Sequence, residues 1–415
     1  MNAAAVGPVG ERERIGELDV LRGIALFGVL TMNFVGHVEP GFGLTDAQAA
    51  ALPTATLDYY AQWAVRWLIS GKANTVFATL FGLGFYLQMT RGEGRPGFEA
   101  RYRRRLFWLL IFGVLNTYFL YFGDILHLYA IAGFLLLGMR RWSTRALVIF
   151  GAGAAFYSDK VHPLLLKLTG VSLPNSDHLN TDAGILDRQA VMTSGDYVSV
   201  FGYWANFTWV DWLASGMLAA WAIYALGRFA LGAAIGRSGI LSDIPRFVPL
   251  LRRIAWIAIP VGLIVGAVIR VMYRGDFGDH EALRTAGQIL RSPAALLLAA
   301  GYCAAIVVAL QKSWGQRIFG VFAPVGRMAL TNYLAHGFIY WFILYGMGPG
   351  LGLAGRIGSF YVLLICIAFF AFQVAYSHWW LARFRFGPME WVWRALTYGE
   401  RPPFRGTSRE AAPAL

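Results

Sequence analysis

The sequence predicts an all-α polytopic membrane helix bundle, with about ten transmembrane helices and both termini cytoplasmic. Three observations lead to that class. Of 415 residues, 57% are hydrophobic and 14% charged, against roughly 25% charged in an ordinary soluble domain. The apolar residues fall into runs of about 20, the length a helix needs to cross a hydrocarbon core of ~30 Å. The arginines gather in short clusters between those runs. A net charge of +13 distributed in this way points to membrane lipids as the anionic partner and away from nucleic acid.

In chain order, the expected spans cover residues 18–38, 72–90, 103–122, 124–140 and 143–159, then 207–230, 251–272, 291–311, 324–347 and 357–382. Residues 1–17 form a polar amino-terminal segment with Arg12 and Arg14. The first apolar run carries Asp19 and Arg22 and no small-residue cleavage site, so it is expected to stay in the protein. An amino-terminal transmembrane half (18–160) is followed by an extracytoplasmic loop (161–206), a carboxyl-terminal transmembrane half (207–399) and a disordered tail (400–415). With the amino terminus inside, the inner segments hold 25 of the 36 Lys and Arg residues, Arg228 among them, and the outer segments hold 8. That asymmetry orients the chain.

Two segments read as amphipathic helices lying at an interface. In 56–69, Leu57, Tyr60, Ala61, Ala64 and Leu68 share one helical face while Asp58, Gln62 and Arg66 share the other. In 388–398, Trp391 and Trp393 beside Arg394 match the indole enrichment of a membrane interface, here the inner one. Cys303 and Cys366 lie inside apolar runs, which suggests neither a disulfide framework nor a thiolate metal site, and no metal is expected.

The candidate functional residues are polar groups inside spans, where ionisable side chains must face protein or a wet cavity. Asp19, Arg22, Asn33 and His37 fall on one face of the first helix. Lys72 opens the second span, Asn116 lies in the outer half of the third, and Asp124 with His127 opens the fourth. A Lys72–Asp124 ion pair is the simplest way to hold those two charges there, and Asp124 three residues before His127 can orient an imidazole as a general base. The ninth span, PVGRMALTNYLAHG, places Arg327 near the cytoplasm with Asn332 and His336 one turn apart deeper in. Each group also has a plainer reading, as a helix cap or as interhelical glue. A Walker phosphate loop, a serine nucleophile elbow and a His-Glu-His zinc pair are absent.

Five ordered segments make the chain resemble the YeiB family of bacterial membrane proteins: LDVLRGIALFGVLTMN (18–33), GKANTVFATLFGLGF (71–85), GDILHLYAIAG (123–133), GRMALTNYL (326–334) and FGPMEWVWRALTYG (386–399). The resemblance implies a multi-pass protein of the bacterial inner membrane. More distantly, the first and ninth spans are similar to those of membrane acyltransferases such as heparan glucosaminide acetyltransferase, which carry an acetyl group from cytosolic acetyl-CoA to a lumenal sugar. By that likeness Asn33 matches an active-site Asn and His336 an active-site His. The chain departs from the YeiB pattern at Asn116, His37 and His336, where relatives commonly carry His, an apolar residue and Gln.

The reading that follows is a transmembrane acyltransferase. Arg22 and Arg327 hold the phosphates of an acyl-CoA or acetyl-CoA co-substrate, and no cofactor is tightly bound. Asn33 and Asn332 donate to the thioester oxygen, and His37, His127 or His336 takes the proton of an extracytoplasmic acceptor. A small-molecule transporter whose cavity is lined by the same residues, or a non-catalytic membrane scaffold or sensor, is the alternative.

Overall fold

The computed structural model describes residues 15–93, 96–169, 181–274 and 281–405. Among them the chain is helical throughout, with no β-strand. The helices are α1 (Gly16–Gly36), α2 (Asp46–Ala51), α3 (Ala55–Leu68), α4 (Lys72–Gly92), α5 (Phe98–Phe119), α6 (Leu126–Gly138), α7 (Thr144–Thr169), α8 (Asp182–Thr193) and α9 (Tyr197–Phe207). They continue with α10 (Met217–Arg237), α11 (Ile244–Arg274), α12 (Glu281–Leu310), α13 (Ser313–Phe319), α14 (Ala323–Arg327), α15 (Ala329–Leu344), α16 (Ser359–Leu381) and α17 (Pro388–Tyr398).

Each of the ten expected spans falls on helix. Among the described residues, five helices are long and apolar enough to cross a bilayer: Gly16–Gly36, Met217–Arg237, Ile244–Met272, Thr285–Leu310 and Ser359–Leu381. The others are shorter, more highly charged or, like α4 with its Asn74 and Gln88, less apolar. α6 has 13 residues, about 20 Å at 1.5 Å per residue, and α5 carries Arg101, Arg103, Arg104 and Arg105 in its first turns.

Two expected spans are broken. The run 207–230 divides where a π-helical turn, Thr208–Ala214, meets Gly216 in the left-handed region (φ 76°), so that α10 begins at Met217. Arg228 therefore sits mid-helix, 1% exposed, and not at an inner helix end. The run 324–347 divides at Met328 into α14 and α15, which leaves the first amide donors of α15 needing partners from elsewhere.

α1 lies at the centre, against α4, α14, α15 and α16. Glycines make its seam with α14 backbone on backbone. A Cβ at Gly326 would meet the Asp19 carbonyl oxygen, and one at Gly23 would meet that of Phe322. Small residues of this kind let membrane helices approach where burial of apolar surface gives no drive. The core runs through Leu26, Val29, Phe34, Leu106, Leu128 and Phe229. α11 packs on α12 at the edge, and its Trp256, Ile257 and Ile264 are exposed as lipid-facing residues are.

The two amphipathic helices form as expected, at α3 and α17. α3 turns Asp58 and Gln62 inward: Asp58 is buried and accepts the Phe360 amide at the start of α16 (2.7 Å), and Gln62 donates to Ser359 (3.0 Å). Its apolar Leu57 and Tyr60 are exposed. Beyond α17 the expected disordered tail is held as far as 405, because Trp391 Nε1 donates to the Pro402 carbonyl (2.7 Å) and the Phe404 ring packs on Phe384 and Trp391. Residues 1–14, with Arg12 and Arg14, and 406–415 lie outside the described residues.

Candidate functional site

Asn33 on α1 and His37, one turn on at its carboxyl-terminal cap, open onto two adjoining spaces. The deeper is a narrow cavity lined by Asn33, Tyr121, Tyr333, His336 and Tyr340. The outer recess is lined by His37, Phe42, Arg188, Gln189 and Tyr340, so Tyr340 forms the wall between them. The Asn33 amide makes no side-chain hydrogen bond among the described residues, which leaves two N–H donors for an occupant of the cavity. His37 Nδ1 donates to the Asn33 carbonyl, so in the neutral ring the lone pair is on Nε2. Edge-on contacts with Phe42, Tyr121, Phe122 and Tyr340, at centroid distances of 4.9–5.4 Å, fix that ring.

His336, on α15, is buried. Its Nε2 meets Gln373 Oε1 at 3.1 Å, and its Nδ1 has no partner among the described residues. Asp124 is fully buried beside this cavity. It accepts Asn116 Nδ2 (2.9 Å), the Leu126 amide (2.7 Å), the His127 amide (3.2 Å) and His127 Nδ1 (3.1 Å). The Asp124–His127 dyad is thus formed, with the His127 ring against Trp212 at 5.5 Å. Tyr333 joins dyad to cavity: its hydroxyl accepts the Ile125 amide at 3.0 Å and lies within reach of Asp124.

Two expected arrangements are not present. Lys72 does not pair with Asp124. Its Nζ donates to the Arg66 carbonyl at 3.4 Å, because the turn before α4 brings that carbonyl to the ammonium while Asp124 is already saturated by α5 and α6. Asn332 does not line the cavity with Asn33. Its Nδ2 donates to the Val325 carbonyl (3.2 Å) and to Ser377 Oγ (3.0 Å), so both amide hydrogens bind α15 to its neighbours and neither is available as an oxyanion donor.

At the inner end, Arg22 pairs with Asp19 at 2.6 Å. The same guanidinium borders Gly84 of α4 and lies within electrostatic range of Arg105 of α5. Arg327 follows Gly326 at the backbone contact with Asp19, which sets it beside the same end of α1. Sequence reasoning overlooked Arg105, Tyr333, Gln373 and Arg188. Gln373, a lone amide in an apolar span, carried a readable signal. Tyr333 and Arg188 carried none, since nothing local marks a tyrosine or a loop arginine as site-lining.

Fold and site together define a multi-pass helical membrane protein with a narrow cavity between α1, α15 and the segment after α5 that carries Tyr121. The chain belongs to the YeiB-like family whose model is described as Protein of unknown function (DUF418), which matches residues 235–400. Residues 14–232 match the model for Heparan-alpha-glucosaminide N-acetyltransferase, catalytic. Uncharacterized protein YxaH of Bacillus subtilis is 31% identical over 95% of this chain and 97% of its own length. Uncharacterized protein YeiB of Escherichia coli is 29% identical over 96% of this chain and 100% of its own. No solved structure matches.

Proposed function

We propose that this protein is a transmembrane acyltransferase of the bacterial inner membrane, taking an acyl group from cytoplasmic acyl-CoA to a hydroxyl or amine acceptor at the outer face. The observation that carries the reading is the uncommitted Asn33 amide in a cavity that His336 also lines, the His336 Nδ1 having no partner among the described residues. The match of residues 14–232 to an acetyltransferase catalytic model supports it. Asn33 donates to the thioester oxygen as negative charge develops there. The acceptor's oxygen or nitrogen bonds to the carbonyl carbon, its proton passes to His336 Nδ1, and the carbon–sulfur bond breaks. The proton then leaves with the CoA thiolate. Arg22, with Arg105 and Arg327 at the inner end, binds the donor's phosphates. His37 and Gln189 face the acceptor from the outer recess.

Purified protein in proteoliposomes, supplied with acetyl-CoA and hydroxylamine as acceptor, tests this through release of free CoA thiol and the mass of the product. Removing one oxyanion donor typically costs 10² to 10³ in turnover, so Asn33→Ala is expected to fold normally and lose about that much. Accumulation of a solute without any change in mass, and with no thiol released, would favour a transporter.

A further inference from the structure

Three groups form a hydrogen-bonded chain between α15 and α16. Gln373 Nε2 lies 2.9 Å from the Asn332 carbonyl oxygen, and Gln373 Oε1 lies 3.1 Å from His336 Nε2. All three residues are at least nine-tenths buried. The proton positions follow from chemistry. A backbone carbonyl only accepts, so the Gln373 atom facing Asn332 must be its NH₂ and the atom facing His336 must be its carbonyl oxygen. An amide oxygen also only accepts, so His336 must carry its hydrogen on Nε2. In the neutral ring the lone pair is then on Nδ1, the nitrogen without a partner, on a residue that lines the Asn33 cavity.

We infer that Gln373 is a positioning residue that holds His336 in the Nε2–H tautomer and so presents Nδ1 as the proton acceptor of the cavity. The role given to that acceptor rests on the acyl-transfer reading; the location of the proton does not. The chain also gives Asn332 a second function, since its backbone carbonyl fixes the orientation of the Gln373 amide. Orientation of an imidazole through the partner of its other nitrogen is how histidine ligands and bases are commonly set.

The test is the ¹⁵N spectrum of full-length protein labelled at the histidine rings, in detergent at pH 8, with the His336 signals assigned by their loss in His336→Gln. The expected result is the Nε2–H form in the wild type, kept in Gln373→Glu, which still offers an acceptor oxygen, and replaced by a mixture of forms in Gln373→Leu. A wild-type ring protonated on Nδ1, or an unchanged Nε2–H signal in folded Gln373→Leu, overturns the inference. If Gln373→Leu does not fold, the wild-type and Gln373→Glu spectra still decide it. Thiol release by the same samples reports separately on acyl transfer: a tautomer that behaves as expected in a protein without turnover defeats the enzymatic reading and leaves the positioning intact.

Discussion

Glu390 accepts both the amide and the hydroxyl of Thr331, at 3.0 and 2.6 Å, and so closes the amino end of the helix that carries His336. It takes the Leu330 amide as well, at 2.7 Å. The break at Met328 leaves these donors without intrahelical acceptors, and a carboxylate at a helix amino terminus also meets the favourable end of its dipole. Glu390→Ala should therefore destabilise the protein by about 1–3 kcal/mol for each buried amide left unpaired, measured as a fall in the thermal midpoint in detergent. A change no larger than that of an exposed surface substitution would show that water replaces the carboxylate.

The same residue gives a pH dependence of definite sign. Burial pushes the Glu390 carboxyl above its ordinary value of 4.5, outweighing the bonds from Thr331 and Leu330. With the folded value above the unfolded one, the native state binds more protons between them, so the contribution of Glu390 to stability falls as pH rises through that window and is flat above it. Glu390→Gln removes the titration. The melting temperature of the variant minus that of the wild type should then increase as pH rises from about 4.5 through that window. Parallel curves would mean that Glu390 has the same proton affinity folded and unfolded.

Asn33 and Asn332 look equivalent in the sequence, each an amide within an apolar helix, and the structure separates them. Asn332 spends both amide hydrogens on Val325 and Ser377, whereas Asn33 makes no side-chain bond among the described residues. Asn332→Ala strands a buried carbonyl and hydroxyl and is expected to cost about 2–4 kcal/mol. Asn33→Ala should leave stability within about 0.5 kcal/mol while slowing thiol release by about 10² to 10³. A stable Asn332→Ala protein with lost turnover would reverse these assignments.

Lys72 and Asp124 should behave independently. Asp124 is satisfied by Asn116, His127 and two backbone amides, and Lys72 reaches the Arg66 carbonyl. Effects of residues without shared partners add to within about 0.3–0.5 kcal/mol. The thermal losses of Lys72→Met and Asp124→Asn are therefore expected to sum in the double variant. A double variant clearly more stable than that sum would restore the pair.

Helix positions were legible because a span has a length set by the bilayer and an apolar pattern that needs no knowledge of neighbours. Both amphipathic helices were legible for the same reason, as was the local Asp124–His127 dyad three residues apart. What failed depended on partners distant in the chain. The Lys72–Asp124 pair was inferred from charge alone, although a hydrogen-bonding amide at Asn116 already met the carboxylate. Arg228 was read as an inner-end cation because Gly216 and the π-turn, which shift α10 along the chain, leave no apolar gap. Held by Thr75, Ser292 and the Tyr224 carbonyl, Arg228 shows that hydroxyls from two neighbouring helices and a carbonyl of its own helix can solvate a buried guanidinium.

The last prediction concerns sidedness, which contacts between loops constrain before any charge rule is applied. Arg140 pairs with Glu99 at 3.0 Å, and Arg237 donates to the Trp142 and Arg140 carbonyls, so residues near 98, 140 and 240 share one face. Gln48 donates to Gln189 at 2.9 Å, so residues 48 and 189 share another. α16 relates the two faces: α3 caps its start through Asp58 and Phe360, while α17 and the tail pack at its end through Trp391, Phe404 and Trp380. Twenty-three residues separate those ends, about 34 Å of helix, enough to put α3 and α17 on opposite sides of a bilayer. Trp393 on α17 donates to the Arg105 carbonyl, which joins α17 to the face of residue 98. That face holds Arg91, Arg101, Arg103, Arg104 and Arg105, and an excess of arginine marks the cytoplasmic side. Reporter fusions after residues 45, 98, 180 and 240 are therefore expected to read outside, inside, outside and inside. Different readings at 98 and 240, or at 45 and 180, would contradict the contacts themselves, whereas reversal of all four would keep the bundle and overturn only the charge rule for this chain.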